Sequence, residues 1–190
     1  MSEKKIYKII SLSRSADLTN LYSKYCRKFN SISPLKSKYY IGIDFYSKEV
    51  LLPNGLNVTL HFWDLSFQVI FNILLERIVK YVDAGLLVFD MNSEKSLEVI
   101  EMYLPIFRAH DPIFPLIVFG NKGSMMIERL IGRENLNKFC LANKIELCFE
   151  VALKKENDEK INSIFLNIAK LLLNIVPKEK LIKNIPTNIK

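Results

Sequence analysis

The stretch "HFWDLSFQVIF", residues 61–71, decides the reading of this chain. It reads as a strand that runs out into a loop carrying Asp64 and Gln68. A carboxylate and an amide there suit a metal and a water, yet Phe67 lies between them where such a loop would normally want glycine. Just upstream, "IGIDFYSKEVLL" and "LNVTLHFWD" flank "PNG", and an Asn-Gly turn between two such runs predicts a β-hairpin.

Working outward, "KIYKIISL" is a buried first strand, and "SADLTNLYSKYCRKF" has apolar residues at helical spacing behind Ser15 as N-cap. "SISPLKSKYY" is a polar loop. Downstream, the buried strands "AGLLVFD", "FPLIVFG" and "IELCFEV" alternate with helices in "QVIFNILLERIVKYV", "SEKSLEVIEMYLPIFRAH" and "RENLNKFCLANK". A long helix in "NDEKINSIFLNIAKLLLNIV" closes the series. This pattern predicts an α/β domain with a six-stranded, mainly parallel sheet, one antiparallel strand from the hairpin, and helices on both faces. Function in such sheets sits on loops at the carboxyl ends of strands, here those after Leu12, Trp63, Asp90, Phe119 and Val151.

The 190 residues suit one domain over 1–176, with a basic, flexible tail over 177–190. The composition, 49% hydrophobic and 25% charged, supports a substantial core. Three cysteines without a CxxC pattern, and no secretory signal or membrane-length apolar run, predict reduced thiols in a cytoplasmic protein. The net charge of +7 lies within residues 1–40, because the remainder cancels. That basic end reads either as a solvated face or as a contact for nucleic acid or an acidic membrane surface, with Tyr22, Tyr25, Tyr39 and Tyr40 available for stacking.

Five segments then resemble, in order, the motifs of a Ras-superfamily small GTPase of the Rab/Ras-like kind. "IGIDF" at 41–45 is similar to the strand after switch I, and "WDLSFQ" at 63–68 to WDTAGQ. "LLVFD" at 86–90, "FGNKGS" at 119–124 and "EVALK" at 150–154 resemble the VYD strand, NKxD and ETSAK. The resemblance covers residues 6–175 and implies a P-loop NTPase fold of the small GTPase kind.

Against that pattern the nucleotide machinery is degenerate. The phosphate loop GxxxxGK[ST] corresponds to "SRSADLTN", with Ser13 and Leu18 for the glycines, Thr19 for the lysine and Asn20 for the magnesium hydroxyl. Asp17 adds a carboxylate where phosphate should meet a helix N-terminus. Tyr40 replaces the switch threonine, Phe67 the DxxG glycine and Ser124 the guanine-reading aspartate, while Val151 and Ala152 replace Thr and Ser of ETSAK. The retained residues are Asp64 as a metal candidate, Gln68 as a catalytic candidate, and Asn121, Lys122 and Lys154, with Thr19 and Asn20, as cofactor-binding candidates. Given the losses, the retained side chains read rather as a strand-end cap, a loop brace and surface groups. Tight nucleotide binding corresponds to about −12 to −16 kcal/mol. At roughly 1.5–3 kcal/mol per charged hydrogen bond, these losses remove about 6–12 kcal/mol.

The expectation is therefore a pseudo-GTPase without a cofactor, its enzyme status left open by the degenerate motifs, acting as a nucleotide-independent binding or scaffolding module in signalling or trafficking. The alternative is an atypical small GTPase with residual GTP/GDP and Mg²⁺ binding and slow or no hydrolysis. A protein partner would contact Ile43, Phe45, Trp63, Phe67 and Phe71, positions that in Rab-like proteins include partner-contacting aromatics. Phe67 and Trp63 could instead fold inward. The strand near 43–52 is expected at the sheet edge, open to a partner strand. Membrane attachment would then run through that partner.

Overall fold

The computed structural model describes residues 5–13, 16–32, 43–66, 71–122, 131–152 and 156–175. Strands β1 (Lys5–Ser13), β2 (Arg27–Ile32), β3 (Ile43–Leu51), β4 (Asn57–Ser66), β5 (Ala84–Asp90), β6 (Leu116–Asn121) and β7 (Leu147–Val151) form one sheet in the order β2-β3-β4-β1-β5-β6-β7. Helices α1 (Ala16–Tyr25), α2 (Phe71–Ile78), α3 (Glu94–His110), α4 (Arg133–Ala142) and α5 (Asp158–Ile175) connect or follow them. β1 pairs in parallel with β4 and β5, and β5, β6 and β7 continue in parallel. Only β3 runs against the rest, paired antiparallel with β2 and β4. The α/β class and the single reversed strand are as expected, but the described residues form seven strands rather than six.

The seventh strand lies where helix and loop were predicted. The backbone of α1 ends where the Cys26 N–H donates to the Tyr22 carbonyl, and residues 27–32 turn onto the edge of β3. There Lys28 Nζ meets Asp44 Oδ2 at 2.8 Å, and a bulge between Lys28 and Asn30 breaks the register. Residues 43–47 are thus already covered on their outer side, contrary to the expectation of an open edge along 43–52. Among the described residues, only Lys48–Leu51 of β3 lack a strand on that side.

Alternation along the strands feeds two cores. On one face Tyr7, Ile9, Leu60 and Phe62 meet Leu18, Leu21 and Tyr22 of α1 and Ile161, Phe165 and Ile168 of α5. On the other, Ile10, Leu65, Leu87 and Val118 meet Leu75 of α2, Ile100 and Phe107 of α3, and Leu136 and Phe139 of α4. Each of these side chains contributes roughly 1.5–3 kcal/mol by leaving water, which fixes the strand ends in place. The hairpin turns at Gly55, whose φ of +80° suits glycine, with the Leu52 N–H donating to the Leu56 carbonyl.

Candidate functional site

Helix α1 is anchored to the sheet by Tyr22, which is fully buried. Its ring stacks on Phe62 at 4.7 Å, and its hydroxyl shares a 2.7 Å hydrogen bond with Ser11 in β1. One turn earlier, Thr19 Oγ1 donates to Asp64 Oδ2 at 2.8 Å. Asp64 lies opposite Ser11 of β1 and Asp44 of β3 and is 7% exposed. Burial raises its carboxyl to about 6, against the Thr19 hydrogen bond, which favours the carboxylate.

Thr19, aligned with the motif's lysine, brings its hydroxyl to the strand-end aspartate, whereas Asn20, aligned with the magnesium hydroxyl, is exposed. In P-loop NTPases Mg²⁺ is held by a loop Ser/Thr and such an aspartate. One hydroxyl and one carboxylate fit a hydrated Mg²⁺ whose other ligands are phosphate oxygens and waters. Among the described residues no cluster of three or more His, Cys, Asp or Glu could hold an ion unaided.

The base side is built at the ends of β6 and β7. Asn121 is 4% exposed, and its carbonyl accepts from the Met91 N–H at 2.9 Å. The Lys122 N–H donates to the Val151 carbonyl at 2.9 Å, and Asn92 Nδ2 donates to the Lys122 carbonyl at 3.2 Å. These bonds tie the 121–122 segment to the neighbouring loop and strand. Gly120 permits the close packing beneath it, since a Cβ there would meet the Met91 sulfur at 2.9 Å. Lys122 Nζ lies 3.4 Å from Glu150 Oε2. Asn92 was absent from the sequence-based site, and its only signal is its place just after the strand end at Asp90. Thr19, Asp64, Asn121 and Lys122 thus sit at carboxyl ends of strands or the adjoining helix. Gln68, Lys154, Tyr40 and Ser124 lie outside the described residues.

Of the expected partner surface, Phe45 is buried, and Ile43 and Trp63 are partly buried against the second core. Phe45 and Trp63 meet edge to face at 5.4 Å. Phe29, which sequence reading placed in a helix, completes this patch from β2. It is 49% exposed and lies 6.0 Å from Phe45 and 4.9 Å from His61 between ring centres. Phe67 lies outside the described residues, and Phe71 opens α2. The basic first forty residues are partly neutralised, with Lys24 paired to Asp158 at 2.9 Å and Lys28 to Asp44. Tyr22, expected to be available for stacking, is sealed in the core because its ring is needed to seat α1. Among the described residues no helix is long and apolar enough to cross a membrane.

The Ras family profile matches residues 19–174. The chain is 30% identical over 179 residues to the Ypt/Rab-type GTPase ypt7 of Schizosaccharomyces pombe, covering 90% of this chain and 84% of that protein. It is 34% identical over 162 residues to the Ypt/Rab-type GTPase avaA of Emericella nidulans, covering 81% and 77%. It is 29% identical over 174 residues to the Ras-related protein Rab-7a of Paramecium octaurelia, covering 88% and 82%. With the strand order, the paired Thr19 and Asp64, and the buried Asn121 in place, this chain belongs to the Ras family of small GTPases.

Proposed function

We propose that this chain is an atypical Rab-type small GTPase that retains residual GTP/GDP binding, hydrolyses slowly or not at all, and contacts a protein partner through its β2–β4 face. The observation that carries this reading is the 2.8 Å bond between Thr19 and Asp64, which keeps a hydroxyl and a carboxylate together at the phosphate end of the site. The similarity to Ypt/Rab-type GTPases along most of the chain supports it. Thr19 and Asp64 would hold the cation, whose charge would offset that of the phosphates. Asn121 and Lys122 would hold the base. With the loop lysine and glycines replaced, affinity falls well below the nanomolar range.

A second reading is a pseudo-GTPase that binds its partner without nucleotide, with Lys122, whose stem would lie on a base, paired instead to Glu150 at 3.4 Å. Calorimetric titration of GTP and GDP with Mg²⁺ into the full chain, first freed of co-purified nucleotide, separates the two. Binding at about micromolar strength that weakens in Asn121→Ala supports the first reading. Silence at high micromolar ligand in folded protein overturns it and leaves the second.

A further inference from the structure

β2 brings a charged side chain to the site as well as covering an edge. Lys28 lies opposite Tyr46 of β3, and Asp44, two residues before Tyr46, lies opposite Asp64 of β4. Directly opposed residues of antiparallel strands share a face, as do residues two apart along one strand. Lys28, Asp44 and Asp64 therefore stand on the face that α1 covers, where the Tyr46 and Tyr22 ring centres lie 5.2 Å apart. Lys28 reaches diagonally along this face, its Nζ meeting Asp44 Oδ2 at 2.8 Å. With the 2.8 Å bond from Thr19 to Asp64, polar side chains from β2, β3, β4 and α1 gather at one end of the sheet.

The group is built around a charge conflict. Two carboxylates facing each other across a strand pair repel. Beyond burial and the Thr19 bond, Asp44 raises the Asp64 carboxyl and the Lys28 ammonium lowers it. That ammonium is not sealed in, since the Lys28 side chain is 48% exposed and that of Asp44 32%. In the phosphate-loop segment the lysine position holds Thr19, whose hydroxyl is directed at Asp64, and Arg14 lies outside the described residues. A phosphate arriving at this end of the sheet meets two carboxylates, and Lys28 is the charge beside them that can answer it. An ammonium–phosphate bond and an ammonium–carboxylate bond are both charge-assisted, so the first can replace the second, with Asp44 left to water.

We propose that Lys28 is a phosphate-binding residue of this site, its cation delivered from β2 in place of the missing loop lysine, with Asp44 holding the ammonium until a nucleotide's phosphates take it. This role rests on the reading of the chain as a nucleotide binder and adds the residue that meets the phosphates. Lys28 forms and breaks no covalent bond. It offsets phosphate charge independently of Mg²⁺, whereas Thr19 and Asp64 act through the cation. A Lys28–Asp44 pair that only braced β2 would affect the base and phosphate parts of a ligand alike.

The test compares GDP with guanosine, which share base and ribose and differ in the phosphates. Both are titrated in EDTA into the full chain freed of nucleotide, followed by amide NMR shifts, which read weak as well as tight binding. Lys28→Gln should weaken GDP binding roughly tenfold and leave guanosine unchanged. In the parent chain the carbon signal of the Lys28 ε-methylene, assigned through Lys28→Arg, should shift with GDP and stay in place with guanosine. That second measurement decides even where Lys28→Gln loosens β2. Equal GDP affinity in folded Lys28→Gln, an equal loss for GDP and guanosine, or a Lys28 signal that GDP does not move overturns the proposal and leaves the nucleotide reading intact. Absence of GDP binding in the parent chain overturns both.

Discussion

Thr19 Oγ1 and Asp64 Oδ2, 2.8 Å apart, join the first turns of α1 to the end of β4. The aspartate has left water for this position, and the threonine hydroxyl returns part of the lost hydration. Thr19→Ala should therefore act twice. It should cost about 1 kcal/mol of stability for a buried acceptor deprived of its donor. It should also weaken Mg²⁺-dependent GDP binding roughly tenfold, about 1.4 kcal/mol, with the Mg²⁺-independent part unchanged. Calorimetry with and without EDTA separates the two effects.

Asp64 also sets a pH dependence. Its carboxyl titrates near 6 in the folded chain against 3.8 for the ordinary group, because burial disfavours the charged form. Between those values the folded state holds a proton that the unfolded state has released. The group's contribution is full below about pH 4 and is lost as pH rises through 6, a change of about 3 kcal/mol. Denaturant melts in EDTA should show stability falling over that interval. Asp64→Asn should flatten the slope and be the more stable form at pH 7.

Thr59, near the start of β4, has a buried hydroxyl without a hydrogen-bond partner among the described residues. Valine keeps the β-branched shape and removes the unmet polar group. Thr59→Val should raise stability by about 1–2 kcal/mol, seen as a higher denaturant midpoint with an unchanged slope.

Arg108 joins α3 to two separate backbone segments, since its Nη1 donates to the Phe114 carbonyl at 2.7 Å while Nη2 serves Asn143 and Lys144. Arg108→Ala should destabilise by about 2–3 kcal/mol. Arg108→Lys should recover only a minor part, because a single ammonium cannot span the same fork of carbonyls. Thermal melts of the two variants test the difference.

How much of this was legible in the sequence varies with the range of the forces involved. The strands ending at Asp90 and Asn121 were plain because each is a continuous apolar run buried on both faces. β2 was not, because "YCRKFNSI" has no strand pattern of its own and is extended only through its pairing with β3 and the Lys28–Asp44 bond. Phe29 was lost to the candidate surface for the same reason. At the site, Asp64, Asn121 and Lys122 stood at strand ends that the pattern located. The Thr19–Asp64 contact was not legible, because a phosphate loop stripped of glycines gives no anchor for counting positions and the seating of α1 on the sheet decides which side chain meets the aspartate.

The placement of β2 carries one more consequence, for how this protein avoids its own copies. β2 is a terminal strand of the sheet, and its outer rim carries backbone groups that a second chain could extend. That rim begins with Arg27 and Lys28, and its register breaks before Asn30. An incoming strand would meet Arg27, then the Lys28–Asp44 pair and a register shift, features that oppose a continuous ladder between molecules. Replacing Arg27 with valine would strip one charge from that rim while leaving the Lys28–Asp44 pair that holds β2 in place.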